Sequence, residues 1–96
     1  EFYDSAEATF KGLLESDLPM TDEQRAKTHY NLGNSQFQQQ KLQEALASYR
    51  KALTLRPDDM EAKYNYALTK KLLEQQQNQN QNQKQLQFRL TMPIRN

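Results

Sequence analysis

The sequence predicts an all-α protein of about four helices in series, followed by a low-complexity C-terminal tail. Three observations predict this class. Apolar residues recur at three- and four-residue steps from Tyr3 to Leu73, the spacing of one helical face. No segment before residue 85 alternates apolar and polar side chains as a half-buried strand does. Pro19 and Pro57 fall between the periodic stretches, where they disfavour helical geometry in the residue before them.

The first helix is expected over residues 3–15, with Tyr3, Ala6, Phe10, Leu13 and Leu14 on one face. Gly12 weakens it by roughly 1 kcal/mol relative to alanine, and Asp17 to Pro19 ends it. "TDEQ" (21–24) then reads as a capping box, in which the Thr21 hydroxyl accepts from the Gln24 amide and the Gln24 side chain reaches back. The second helix runs from about Asp22 to Gln39, with Ala26, Tyr30, Leu32, Gly33 and Phe37 as contacts. Lys41 opens the third, which carries Leu42, Ala45, Leu46, Tyr49, Ala52, Leu53 and Leu55 up to Pro57. Asp58 is the expected cap of the fourth, with Glu61 in its first turn near the positive end of the helix dipole. Ala62, Tyr64, Tyr66, Ala67, Leu68, Leu72 and Leu73 follow.

Beyond Glu74 the chain is almost entirely Gln and Asn as far as Gln87. The expected organisation is a helical domain over 1–76, a disordered Gln/Asn-rich linker over 77–85 and an extended tail over 86–96. That tail alternates Leu86, Phe88, Leu90 and Met92 with polar residues, as a docking peptide or an appended segment would. The net charge of +1 gives no field that would favour nucleic acid or an anionic membrane. With no cysteine, disulfides and thiolate metal sites are excluded. No apolar run approaches a membrane span, so the chain is expected to be soluble, and the opening "EFYDSAEATF" reads as the start of a piece of a longer protein.

Residues 26–59 carry a specific pattern: Leu32-Gly33, then Ala45 and Tyr49 as an Ala-x3-aromatic pair, Ala52, and a closing Pro57. The chain here resembles the tetratricopeptide repeat, a helix-turn-helix unit of about 34 residues. The pattern departs from the family at His29 (for Trp), Gln36 (for Tyr) and Gln40 (where the turn often has Gly). Residues 3–15 look like the second helix of a preceding repeat, with Ala6 and Phe10 as the Ala-x3-aromatic pair. Residues 60–75 look like the first helix of a following one, with Tyr66-Ala67 in place of Leu-Gly. The implied architecture is a short antiparallel helix-turn-helix superhelix of one complete and two half repeats. More narrowly, "KYNYALTKKLLEQQQNQNQNQ" is similar to the end of the tetratricopeptide proteins of bacterial aerotolerance (Bat-type) operons. That likeness implies a membrane-associated assembly in a bacterial envelope.

Catalysis has little support. His29 is the single histidine, Gly12 and Gly33 stand alone rather than in a phosphate loop, and no metal-ligand spacing occurs. Asp58 and Asp59 are read as caps and His29 as a packing or rim residue. No catalytic residue, metal or cofactor is expected. The resemblance instead implies a peptide-binding groove lined by the first helix of each pair: Lys27, Tyr30, Asn31, Asn34, Phe37 and Gln38, then Glu61, Tyr64, Asn65, Leu68 and Leu72. Asn amides there can bond an extended backbone, and tyrosines offer rigid apolar area. Asn34 and Asn65 match two places of the family's carboxylate clamp, but Tyr30 stands where that clamp needs Lys, which argues against it. The expected partner is a protein or peptide. The alternative is self-association, through the open solenoid ends or through the tail docking on an identical chain.

Overall fold

In a computed structural model the backbone is described for residues 1–91 and the side chains for residues 1–79. Four helices follow one another: α1 (Phe2–Glu15), α2 (Asp22–Gln38), α3 (Leu42–Leu55) and α4 (Met60–Thr91). The described residues include no strand. Sequential neighbours pack together, α1 on α2, α2 on α3 and α3 on α4, as in a solenoid whose units touch only the next in line. Among the described residues no helix is long and apolar enough to cross a membrane.

The helix starts follow local chemistry. The capping box forms as expected: Gln24 N donates to Thr21 Oγ1 at 3.0 Å, and Thr21 N donates to Gln24 Oε1 at 3.0 Å. At α4 the cap is Asp59 rather than the expected Asp58. Asp59 Oδ1 accepts from the Ala62 amide at 3.2 Å, while Asp58 is exposed and 4.0 Å from Arg56 Nε. The reason is register: α4 begins at Met60, so its cap must be the residue just before it.

The turn from α2 to α3 closes on Gln40, whose φ of 65° is the left-handed value that glycine adopts freely. Gln40 N donates to Phe37 O at 3.0 Å and Lys41 N to Gln36 O at 2.9 Å. These two bonds make a Schellman motif that satisfies the last carbonyls of α2.

The core lies in the α2–α3 seam: Ala26, Leu32, Leu42, Ala45, Tyr49 and Ala52 are buried, and Ala62 joins them from α4. Gly33 is needed there. A Cβ at that position would lie 2.6 Å from Tyr49 Cε1 and 2.7 Å from Cδ1. Leu53, expected to fill the seam, is only half-buried.

Two expectations are altered. On α1 the apolar stripe is not the buried face: Glu7 is buried, whereas Ala6, Phe10 and Leu14 are half-buried and Tyr3 and Leu13 are exposed. The linker expected over 77–85 and the extended tail expected from 86 instead continue α4 without a break to Thr91. Gln is a fair helix former, and between Met60 and Thr91 there is neither glycine nor proline to stop the helix. Residues 92–96 of that tail lie outside the described residues.

Candidate functional site

Two arrangements of side chains rise above ordinary packing. The first is a concave cavity of about 490 Å³, within the range of small-ligand and peptide pockets. α2 contributes Asn31, Asn34, Ser35, Phe37 and Gln38; α4 contributes Asn65 and Leu68; Tyr49 of α3 lies at its floor. The N-terminal half of α1 adds Phe2, Tyr3, Ala6 and Phe10. Among the described residues no charged side chain lines it.

The floor of the cavity is fixed by a small hydrogen-bonded cluster. Tyr49 Oη donates to Asn34 Oδ1 at 2.6 Å, and Asn65 Nδ2 donates to the same oxygen at 3.1 Å and to Tyr30 Oη at 3.1 Å. The Tyr30 and Tyr49 rings pack at a tilt with centroids 5.9 Å apart. Burial pushes the Tyr49 hydroxyl up to about 12, with the nearby Tyr30 adding to the rise, so it remains a donor at neutral pH. Asn34 and Asn65 therefore join the two first-type helices α2 and α4 and present a pre-arranged polar floor. No bond among the described residues holds the side-chain amides of Asn31 and Gln38, which line the same cavity.

Of the groove residues expected from sequence, Asn31, Asn34, Phe37, Gln38, Asn65 and Leu68 share this cavity. Tyr30 lies behind it, bonded to Asn65. Lys27 and Glu61 are exposed outside it, Leu72 is half-buried, and Tyr64, one turn from Leu68 on the same side of α4, is 69% exposed and does not line the cavity. The α1 wall was not foreseen. Tyr3, Ala6 and Phe10 were read only as one face of the first helix.

The second arrangement is a buried charge network. Glu7 is 4% exposed. Its Oε1 accepts from Lys41 Nζ at 2.8 Å and Gln39 Nε2 at 3.0 Å. Its Oε2 takes Lys11 Nζ at 3.0 Å and Gln36 Nε2 at 3.3 Å. Gln36, itself buried, accepts from Ser48 Oγ at 2.6 Å on α3. The Lys41 bond, opposed by burial and reinforced by Lys11, Gln39 and Gln36, holds the carboxyl down to about 2. The network ties α1 to the α2–α3 turn. It was missed in the sequence because Gln36 looked like a harmless replacement for an aromatic.

His29 sits on the opposite side, in a cleft shared with Arg25, Lys51, Lys11, Glu15 and Glu44. Its Nδ1 is buried without a partner among the described residues. Burial, with the Lys51 and Arg25 charges nearby, lowers its pKa below the ordinary value of 6.5, so the imidazole is neutral at pH 7. This fits a packing residue.

The model of the tetratricopeptide repeat family matches residues 26–59, from the second turn of α2 through α3 to the residue before α4. No curated protein and no solved structure matched the chain. The match covers about a third of the chain, and the repeat it describes is generally a non-enzymatic scaffold for protein–protein interaction.

Proposed function

We propose that this chain is a protein–protein interaction module whose concave cavity binds an extended, uncharged peptide segment carrying a bulky apolar side chain. The observation that carries the proposal is the lining: aromatic and aliphatic walls, free amides at Asn31 and Gln38, and no charged residue. A carboxylate or phosphate placed there would lose its hydration without gaining a cation, a costly exchange. An apolar side chain gains burial, and neighbouring amides satisfy the peptide backbone around it. The Asn34–Asn65–Tyr49 cluster adds pre-organisation, because those groups need no reordering on binding.

The resemblance to Bat-type proteins extends the proposal to a scaffold within a bacterial envelope assembly. The Gln/Asn-rich run over residues 75–87 supports that extension.

The test is an array of immobilised uncharged peptides with one central Leu, Phe or Tyr, beside a matched set with Asp at that place. The expected outcome is binding that depends on the apolar residue and weakens about tenfold or more in Asn31→Ala/Gln38→Ala, from the loss of two hydrogen bonds. Equal binding to both peptide sets, or none to either, would overturn the proposal.

A further inference from the structure

The cleft that holds His29 is lined by residues of α1, α2 and α3 and shares none of them with the concave cavity. α2 and α3 run antiparallel beside it, joined by Arg56 to Glu23 at 3.2 Å and, farther up, by Ser48 to Gln36 at 2.6 Å. Between those two ties, Lys51 of α3 comes level with Arg25 and His29 of α2, which stand one helical turn apart.

The charges of the lining are not spread evenly. Lys11 is taken up by Glu7 at 3.0 Å. Glu44 lies toward the α2–α3 turn, where its charge acts on Lys41. Glu15, the last residue of α1, makes no ion pair among the described residues, and neither do Arg25 and Lys51. The field at His29 is accordingly positive: Lys51 and Arg25 help to hold its pKa down, and no carboxylate offsets them. Of its two ring nitrogens only Nδ1 is buried and partnerless, which leaves Nε2 to meet a ligand in the cleft.

We propose that Arg25, Lys51 and the Nε2–H of His29 form a binding site for an oxyanion of the phosphate class. The Arg25 guanidinium offers a planar fork of N–H donors that matches two phosphate oxygens, and Lys51 adds a point charge. The neutral imidazole carries its proton on Nε2, where a ligand accepts it; on Nδ1 the proton would be buried without an acceptor. A phosphate group carries about −1.5 to −2 charge at pH 7, which two unpaired cations match, whereas a carboxylate carries only one. A bound dianion reverses the field at His29, so the imidazole pKa rises on binding.

The single histidine is the reporter. Its ring-proton NMR signals are followed at pH 7 as inorganic phosphate is added to the full 96-residue chain, with sodium chloride holding the ionic strength constant. A saturable shift toward the protonated position is expected, half-complete at about 1 mM for two charge-assisted contacts. Arg25→Gln and Lys51→Gln should each weaken binding about tenfold, and Glu15→Gln, which removes an acid from the lining, should tighten it. Circular dichroism checks helicity, and Lys51 and Glu15 are exposed, so their variants carry the test if Arg25→Gln unfolds. A phosphoserine peptide with uncharged flanks, beside its serine counterpart, separates the two sources of the group. Tighter binding than inorganic phosphate assigns the site to a phosphorylated partner; equal or weaker binding assigns it to a free phosphate compound. No saturable shift up to about 20 mM phosphate, or a shift unchanged in Lys51→Gln, overturns the inference. Asn31→Ala/Gln38→Ala leaves this cleft intact, so the peptide-binding proposal stands or falls separately.

Discussion

Replacing Glu7 with Gln keeps the side-chain shape and removes its charge. In the native structure the carboxylate is 4% exposed and its oxygens are engaged by Lys41, Lys11, Gln39 and Gln36 at 2.8–3.3 Å. Its pKa falls from 4.5 to about 2. A carboxyl depressed on folding contributes stability that is fully present above its unfolded value of 4.5 and is lost as pH falls through about 2. A shift of that size is worth on the order of 3 kcal/mol. Lys41 and Lys11 are 39% and 49% exposed, so solvent screens part of the attraction. About 2 kcal/mol is therefore the expected net loss at pH 7.

For a domain of this size, about 2 kcal/mol lowers the melting temperature by roughly 8–16 °C. Thermal unfolding followed by circular dichroism, with the wild type and Glu7→Gln measured side by side from pH 7 downward, reads both parts of the argument. The gap between the two proteins should hold constant down to pH 4.5 and then narrow toward pH 2 as the wild type loses its advantage. Melting curves that coincide at pH 7, or a gap that stays constant through the acid window, would refute the assignment of a stabilising charge to Glu7.

Gly33→Ala places a methyl group 2.6 Å from the Tyr49 ring and should cost about 1–3 kcal/mol in urea unfolding through overpacking. Gln40→Gly relieves the positive φ at the α2–α3 turn and should raise stability by about 0.5–1 kcal/mol by the same measurement. His29 has its pKa lowered on folding, so the unfolded chain takes up a proton more readily and stability falls as pH drops below 6.5. His29→Leu should remove the decline that sets in as pH falls below 6.5, as seen in melting temperatures across the pH series.

The helices were legible because their signals are local. The Thr21–Gln24 box, the breaks at Pro19 and Pro57, and the three- and four-residue steps each lie within one helix or turn. The Leu32-Gly33 and Ala45/Tyr49 pairs were legible because the close approach of two helices demands a missing side chain on one and a ring on the other. The groove was half-legible: Asn34 and Asn65 could be placed, but not the bonds that tie them to each other and to Tyr49 and Tyr30. Tyr64 was placed in the groove by the family resemblance, yet it is 69% exposed and does not line the cavity. Glu7 was invisible because three of its four partners come from positions 29 to 34 residues away. The available clue was Gln36: a polar residue at a buried aromatic position must find a polar partner, and its nearest helix holds one acid flanked by apolar residues.

The same substitution explains why α1 leaves its apolar stripe uncovered. Gln36 and Lys41 are the two residues that close the Schellman turn, positions where an apolar contact commonly seals the helix end. Here the seal is made through Glu7, which bonds both of them. Glu7 lies about 100° around α1 from Ala6, so burying the acid rotates Tyr3, Ala6 and Phe10 away from α2. A leucine at Glu7 and an aromatic at Gln36 could pack as well or better, since buried ion pairs seldom outperform apolar contacts in stability. What the charged network fixes is orientation: Lys41, Gln39 and Gln36 converge on one carboxylate and permit one rotation of α1. An apolar replacement would be free to roll the helix and bury its stripe. The buried charge and the outward apolar stripe are thus one feature of the fold: Glu7 faces the α2–α3 turn, and Tyr3, Ala6 and Phe10 line the cavity.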